Sequence, residues 1–274
     1  MAIMKMFKLD GKKALVVGGG QGIGRCFALA LAEANGEVTI ADFNEKTGRS
    51  TVKEINDAGG KARFVKADAN KKEDLSALMS AISPAGLDIA VNCPIMKWET
   101  VREYCLAEAE LIKRNGRGKI INLASMCASI ANVGCLDSYN QTKAAVVMLT
   151  KSLAVELGPH NINVNCISPS YTLTPARRRD NPDFKARVRA ATPMGWYERP
   201  EDLCGTLLFL ASRASDYVTG QNITVDGGHT LNVWMDPIKR AAPPLVSPEE
   251  EVVSLKHDLD VLGIKYDENI VALS

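Results

Sequence analysis

Histidine is scarce in this chain, and the three present, His160, His229 and His257, stand far apart in sequence. The 7 cysteines are odd in number, scattered, and nowhere spaced as Cys-x-x-Cys. Neither set has the spacing of a zinc site, and no disulfide framework is expected. No apolar run reaches the roughly 20 residues that cross a bilayer, and the opening MAIMKMFKLDGKK lacks the apolar core of a secretory signal. An excess of one charge is missing too: 33 basic and 32 acidic residues leave a formal +1. With no global field, neither nucleic acid nor an anionic membrane is the expected partner. A small-molecule substrate in a soluble, cytoplasmic protein is the reading that remains.

What the chain does contain is an alternation of short apolar, β-rich runs with longer segments of helical period, the rhythm of βαβ units. The predicted strands are ALVV (14–17), EVTIA (37–41), ARFVKA (62–67), LDIAVN (87–92), GKIINLA (118–124), INVNCIS (162–168) and QNITVD (221–226). Runs apolar on both faces belong to parallel sheets covered by helices. GRCFALALAEAN and SYNQTKAAVVMLTKSLAVELG read as two of those helices, the second with Gly158 as its cap. The expected fold is α/β, a Rossmann-like doubly wound parallel sheet of about seven strands in a single domain over residues 1–234, with ligands at the carboxyl ends of its strands.

The first strand runs into VVGGGQGIGRCFALALA, where Gly18, Gly22 and Gly24 separate strand from helix. Missing side chains there let backbone N–H groups and the helix N-terminus approach a pyrophosphate. A tight turn alone would also use these glycines, but the second strand ends in IADFN, which sets Asp42 where a carboxylate accepts from adenine ribose hydroxyls. The same charge repels a 2′-phosphate, and no arginine follows it directly. NAD is therefore the expected cofactor rather than NADP.

The segment INLASMCASIANVGCLDSYNQTKAAV carries the chemistry. Tyr139 and Lys143 are four apart and share a helix face, and Ser125 lies just past the preceding strand. A free phenol, with a pKa of about 10, is a poor acid or base near neutrality. A cation within several ångströms favours the phenolate, and its ammonium can also hold ribose hydroxyls. Serine would hydrogen-bond the substrate oxygen.

Taken together these residues resemble the short-chain dehydrogenase/reductase family, over residues 8 to about 234. The resemblance implies a cofactor-binding set of Gly18, Gln21, Gly22, Ile23, Gly24, Asp42, Phe43, Asp68, Ala69, Asn92, Tyr139, Lys143, Pro169, Thr172 and Thr174, with Ser125, Tyr139 and Lys143 catalytic and no metal. Val17 stands where many members have threonine, and Ser170 replaces the usual glycine of NVNCISPSYTLTP. TPMGWYERPEDLCGTLLFLASRASDYVTGQNITVDGG looks like the family's last helix and strand.

The stretch VNCPIMKWETVREYCL (91–106) departs most. Members usually read NNAG there, followed by a loop and a long helix bearing a catalytic asparagine. Here Asn92 persists, Cys93, Pro94 and Ile95 replace the rest, and Cys105 falls at the asparagine position beside Trp98, Val101 and Leu106. Two deletions are implied, yet residues 97–114 still predict a helix of about 27 Å, long enough to return to the next strand. Two functional readings stay open. One is an NAD-dependent oxidoreductase exchanging a secondary alcohol with its ketone, with a polyol, sugar or sugar acid implied because the ending VDGGHTLNVW resembles members that act on such compounds. The other is an NAD-binding sensor or scaffold with weak or lost catalysis.

PARRRDNPDFKARVRAA (175–191) falls where the family carries a substrate lid; its arginines, Arg177, Arg178, Arg179, Arg187 and Arg189, suit either an anionic ligand or a solvated helix face. Residues 235–274 read as an extension: a Pro-rich linker, then a helix with Ser247 as N-cap, Pro248 and Glu250 in its first turn, Gly263 as stop, and a stripe of Val252, Leu255, Leu259 and Leu262. The resemblance further implies a homo-oligomer, dimer or tetramer, assembled through the helices flanking the fifth strand.

Overall fold

Each of the seven apolar runs forms a strand: β1 (Lys13–Val17), β2 (Glu37–Asp42), β3 (Lys61–Lys66), β4 (Ile89–Asn92), β5 (Gly118–Leu123), β6 (Ile162–Pro169) and β7 (Asn222–Val225). They make one parallel sheet in the order β3-β2-β1-β4-β5-β6-β7. The computed structural model describes residues 3–94, 97–131, 137–174 and 182–231. The expected helix from Ser247 and the arginines Arg177, Arg178 and Arg179 lie outside these residues.

Burial explains the strand composition. β4 is buried at every position, and β1 at all but its first, so apart from Lys13 and Asn92 each is an uninterrupted apolar run. β3 lies at the sheet edge and has only exposed and half-buried residues. One face of the sheet is covered by α1 (Gly22–Glu33), α2 (Glu45–Asp57) and α7 (Cys204–Ala211), which bring Phe27, Leu31, Ile55, Leu207 and Leu210 against Val16, Ile40 and Ile121. The other is covered by α3 (Lys72–Ile82), α4 (Trp98–Lys113) and α5 (Asp137–Leu157), whose Leu78, Ile112 and Leu153 meet Leu15, Ala90 and Ile120. A further helix, α6 (Pro182–Ala191), lies between β6 and α7 in the chain.

Two local results differ in detail from expectation. α5 ends at Leu157, and Gly158 does not close it in a left-handed conformation. The chain tightens instead into a single 3-10 turn, Gly158–His160, with Pro159 inside it, and Asn161 takes the left-handed turn at φ 57°. Proline has no N–H to donate, and asparagine is among the few non-glycine residues that tolerate this region. After β4, α4 starts at Trp98 and runs 16 residues, about 24 Å, and so spans the sheet despite the short connection.

The order β2-β1-β4 creates the topological switch point. From β1 the chain builds outward to β3, then crosses back to β4 on β1's other side, so the connections part above β1 and leave a crevice at the carboxyl ends of the strands. Among the described residues no helix is long and apolar enough to cross a membrane, and no group of three or more His, Cys, Asp or Glu side chains is placed to hold a metal ion.

Candidate active site

A cleft of about 410 Å³ opens at that switch point. Its walls include Gly18, Gln21, Gly22, Ile23, Gly24, Asp42, Phe43, Asp68, Ala69, Ser125, Tyr139, Lys143, Pro169, Thr172 and Thr174, every site residue expected from sequence except Asn92.

The glycine turn is built for close approach. A Cβ on Gly24 would sit 2.0 Å from the carbonyl oxygen of Gly18, so only glycine lets α1 start this near the end of β1. Gly22, the first residue of α1, has φ +55°. Gln21 precedes it as N-cap without a side-chain cap bond, and the first turn carries no acidic residue. The turn therefore leaves its amide dipoles to whatever the cleft holds, an arrangement that fits a pyrophosphate.

Asp42 closes β2 and is almost fully buried. Its Oδ2 accepts from the backbone N–H of Gly20 and its Oδ1 from that of Asn44, each at 2.9 Å. The carboxylate thus ties β2 to the glycine turn, and each oxygen keeps a lone pair for a further donor. Lys143, at the opposite end, is the only Lys or Arg among the described residues lining the cleft.

Ser125 follows β5, and its Oγ accepts from the N–H of Cys127 at 3.2 Å, which leaves the hydroxyl hydrogen to be donated. Lys143 is buried, donates from Nζ to the Leu123 carbonyl at 2.6 Å, and stands 5.8 Å from the centroid of the Tyr139 ring. Burial lowers its pKa to about 8, so it remains largely an ammonium at neutral pH. A fixed cation beside a phenol, with a serine hydroxyl on the same wall, is a constellation for moving a proton at a substrate oxygen.

Asn92 lies behind this wall. Its Nδ2 donates to Glu108 Oε2 at 3.0 Å and to Asn122 Oδ1 at 3.2 Å, within a buried cluster under α4. Cys105 belongs to the same cluster and does not line the cleft: it is fully buried, and its thiol donates to Asn122 Oδ1 at 3.3 Å. Burial pushes the Glu108 carboxyl up to about 7. The hydroxyl of Tyr104, Oδ1 of Asn92 and Oε1 of Glu108 have no hydrogen-bond partner among the described residues.

Sequence reasoning did not foresee that Cys93 and Pro94, the replacements within NNAG, would themselves form part of the wall, with Pro94 close against Gly18. Nor did it find Glu198. This buried carboxyl receives Thr172 Oγ1 at 2.5 Å and the N–H of Ser170 at 3.1 Å, and burial raises its pKa to about 8. A single glutamate between Tyr197 and Arg199 carries no local signal of burial; only the bridge between Thr172 and Glu198 brings it under the loop after β6.

Comparison with known proteins places this geometry. The family model described as short chain dehydrogenase matches residues 12–111, and that described as enoyl-(acyl carrier protein) reductase matches residues 97–230. The 7α-hydroxysteroid dehydrogenase of Escherichia coli (strain K12) is 34% identical over 243 residues, 81% of this chain and 95% of the relative. A structure of a 7α-hydroxysteroid dehydrogenase complexed with NADH and 7-oxo glycochenodeoxycholic acid superposes with a TM-score of 0.77 at 32% identity, over 83% of this chain and 98% of the other. A gluconate 5-dehydrogenase from Burkholderia cenocepacia, in complex with NADP and tartrate, gives 0.75 at 30% identity, over 84% and 100%. The cleft is thus of a kind that takes a nicotinamide cofactor, and the fold that of alcohol and ketone oxidoreductases. The chain belongs to the short-chain dehydrogenase/reductase family.

Proposed function

We propose that this protein is an NAD-dependent oxidoreductase that moves a hydride between the cofactor and a secondary alcohol or its ketone, on a polyol, sugar or sugar acid. The observation that carries the reading is the buried ammonium of Lys143, fixed on the Leu123 carbonyl and beside Tyr139, in the cleft that the glycine turn and Asp42 also line. The N-terminus of α1 would hold the pyrophosphate, Asp42 the adenine ribose, and Lys143 the ribose nearer the reaction. Selection of NAD over NADP rests on Asp42 and on the lack of a cation near it among the described cleft residues.

When bound, the nicotinamide accepts or supplies the hydride. Tyr139 takes the proton from the alcohol or gives it to the ketone, Lys143 favours the phenolate form, and Ser125 donates a hydrogen bond to the substrate oxygen. The substrate class is supported by the sequence ending VDGGHTLNVW and by the likeness to a gluconate dehydrogenase. Assembly with a second copy of the chain follows from the family resemblance, and the exposed apolar side chains of Met148 and Val155 on α5 are ones such a contact would cover.

Spectrophotometric NADH formation with a panel of polyols and sugar acids, run beside Tyr139→Phe, tests the proposal. Turnover on such compounds, lost in the variant, is expected; activity confined to steroids or fatty acyl groups would refute the substrate class. One observation favours a second reading, an NAD-binding protein with little turnover: Cys105, which the resemblance sets at the family's asparagine position, turns into the buried cluster. NADH binding without turnover across the panel would establish that reading.

A further inference from the structure

We propose that Cys26 and Cys204 form an oxidisable pair, a modification site at which a peroxide joins α1 to α7 through a reversible disulfide. The two residues are 178 positions apart, yet their sulfur atoms lie 3.3 Å from each other. Cys26 is buried within α1, and Cys204, the first residue of α7, is half-buried. The two helices pack directly on one another. A disulfide has its sulfurs about 2.05 Å apart, so closure asks for side-chain rotation over little more than an ångström. The pair lies outside the cofactor cleft, so the inference is independent of the proposed activity.

The surroundings assign different tasks to the two thiols. Cys26 hydrogen-bonds with Cys204 and lies 3.7 Å from Oε1 of Glu201. These contacts and burial push the Cys26 thiol up, so it rests protonated. Cys204, nearer the surface, is the sulfur that meets the oxidant. It attacks one oxygen of hydrogen peroxide; the O–O bond breaks, Cys204 becomes a sulfenic acid, and its proton leaves with the other oxygen as water. The Cys26 sulfur then attacks the Cys204 sulfur. The S–S bond forms as the S–O bond breaks, and the Cys26 proton passes through the Glu201 carboxylate to the departing hydroxide. Two thiols lose two electrons and two protons, and the peroxide becomes two waters.

The test uses the full chain and hydrogen peroxide at a few equivalents, followed by alkylation and non-reducing peptide mapping. The expected result is one cross-linked species that joins the peptides of Cys26 and Cys204 within a single chain, reverted by dithiothreitol. In Cys26→Ser the resolving sulfur is gone, so dimedone should trap a sulfenic acid at Cys204. Thermal melting should show a higher midpoint for the oxidised wild type and no such rise for Cys26→Ser. The proposal is overturned if both cysteines stay fully alkylatable after peroxide, or if either joins a different cysteine or another chain. Mapping of the wild type needs no variant, so it decides the matter even where a variant fails to fold.

Discussion

At the residue scale the site turns on how one cation is held. Lys143 is nearly free of solvent, and a buried ammonium is costly unless its protons find acceptors. The Leu123 carbonyl supplies one at 2.6 Å and fixes the charge beside Tyr139. Removing only the phenol hydroxyl should therefore abolish proton transfer and spare the rest. Tyr139→Phe is expected to lower turnover by about 10²- to 10⁴-fold, with NADH binding, read by fluorescence titration, retained. Asp42 allows an equally narrow test. Asp42→Asn keeps a side-chain acceptor for only one of the Gly20 and Asn44 amides and loses the charge that opposes a 2′-phosphate. The preference for NADH over NADPH proposed for the wild type should fall by about 10-fold or more in this variant, since juxtaposed like charges cost up to several kcal/mol. An unchanged ratio of dissociation constants would remove Asp42 as the selecting group.

At the scale of elements, α4 decides how a shortened connection is tolerated. Its 16 residues still bridge β4 and β5, and they place Glu108 in the core with Asn92 as its hydrogen-bond partner and no cation paired with it among the described residues. The Glu108 carboxyl is raised from 4.5 to about 7, so the folded protein holds a proton there that the unfolded chain has released. Stability from this group is therefore complete below about pH 4.5 and declines until about pH 7. Glu108→Gln, which mimics the protonated acid, should match the wild type near pH 4.5 and exceed it above pH 7 by on the order of 1–3 kcal/mol. Denaturant unfolding at the two pH values measures this; equal differences at both would contradict it. The same element shows where sequence reading stops. Parallel strands were legible because burial on both faces leaves an uninterrupted apolar run, and the glycine turn and the Tyr139–Lys143 pair because their spacing is local. The direction of the Asn92 amide and the burial of Cys105 depend on how α4 sits over the sheet, which no local pattern encodes. The Cys26–Cys204 contact and Glu198 are harder still, since each is made by segments far apart in the chain.

At the scale of the whole molecule, the cleft is a junction between the two halves of the sheet. Gly18 follows β1 and Asp42 ends β2, Asp68 and Ala69 come from the loop after β3, and Cys93 and Pro94 follow β4. Ser125 follows β5, Tyr139 and Lys143 ride on α5, and Thr172 and Thr174 follow β6. A dinucleotide laid along this line would touch segments after six of the seven strands, so unfolding of either half would release it. Cofactor binding should consequently stabilise the fold as a unit. At 100 times its dissociation constant a ligand that binds only the folded state adds about 2.7 kcal/mol, which for a chain of this size raises the melting midpoint by roughly 5–10 °C. NADH is expected to produce a single, sharper transition displaced by that amount, and NADPH at equal concentration a much smaller displacement. The measurement is independent of turnover, so it holds for an active enzyme and for a silent binder alike. Equal shifts with both cofactors would show that the carboxylate of Asp42 does not select between them, and no shift with either would mean that this cleft is not a dinucleotide site.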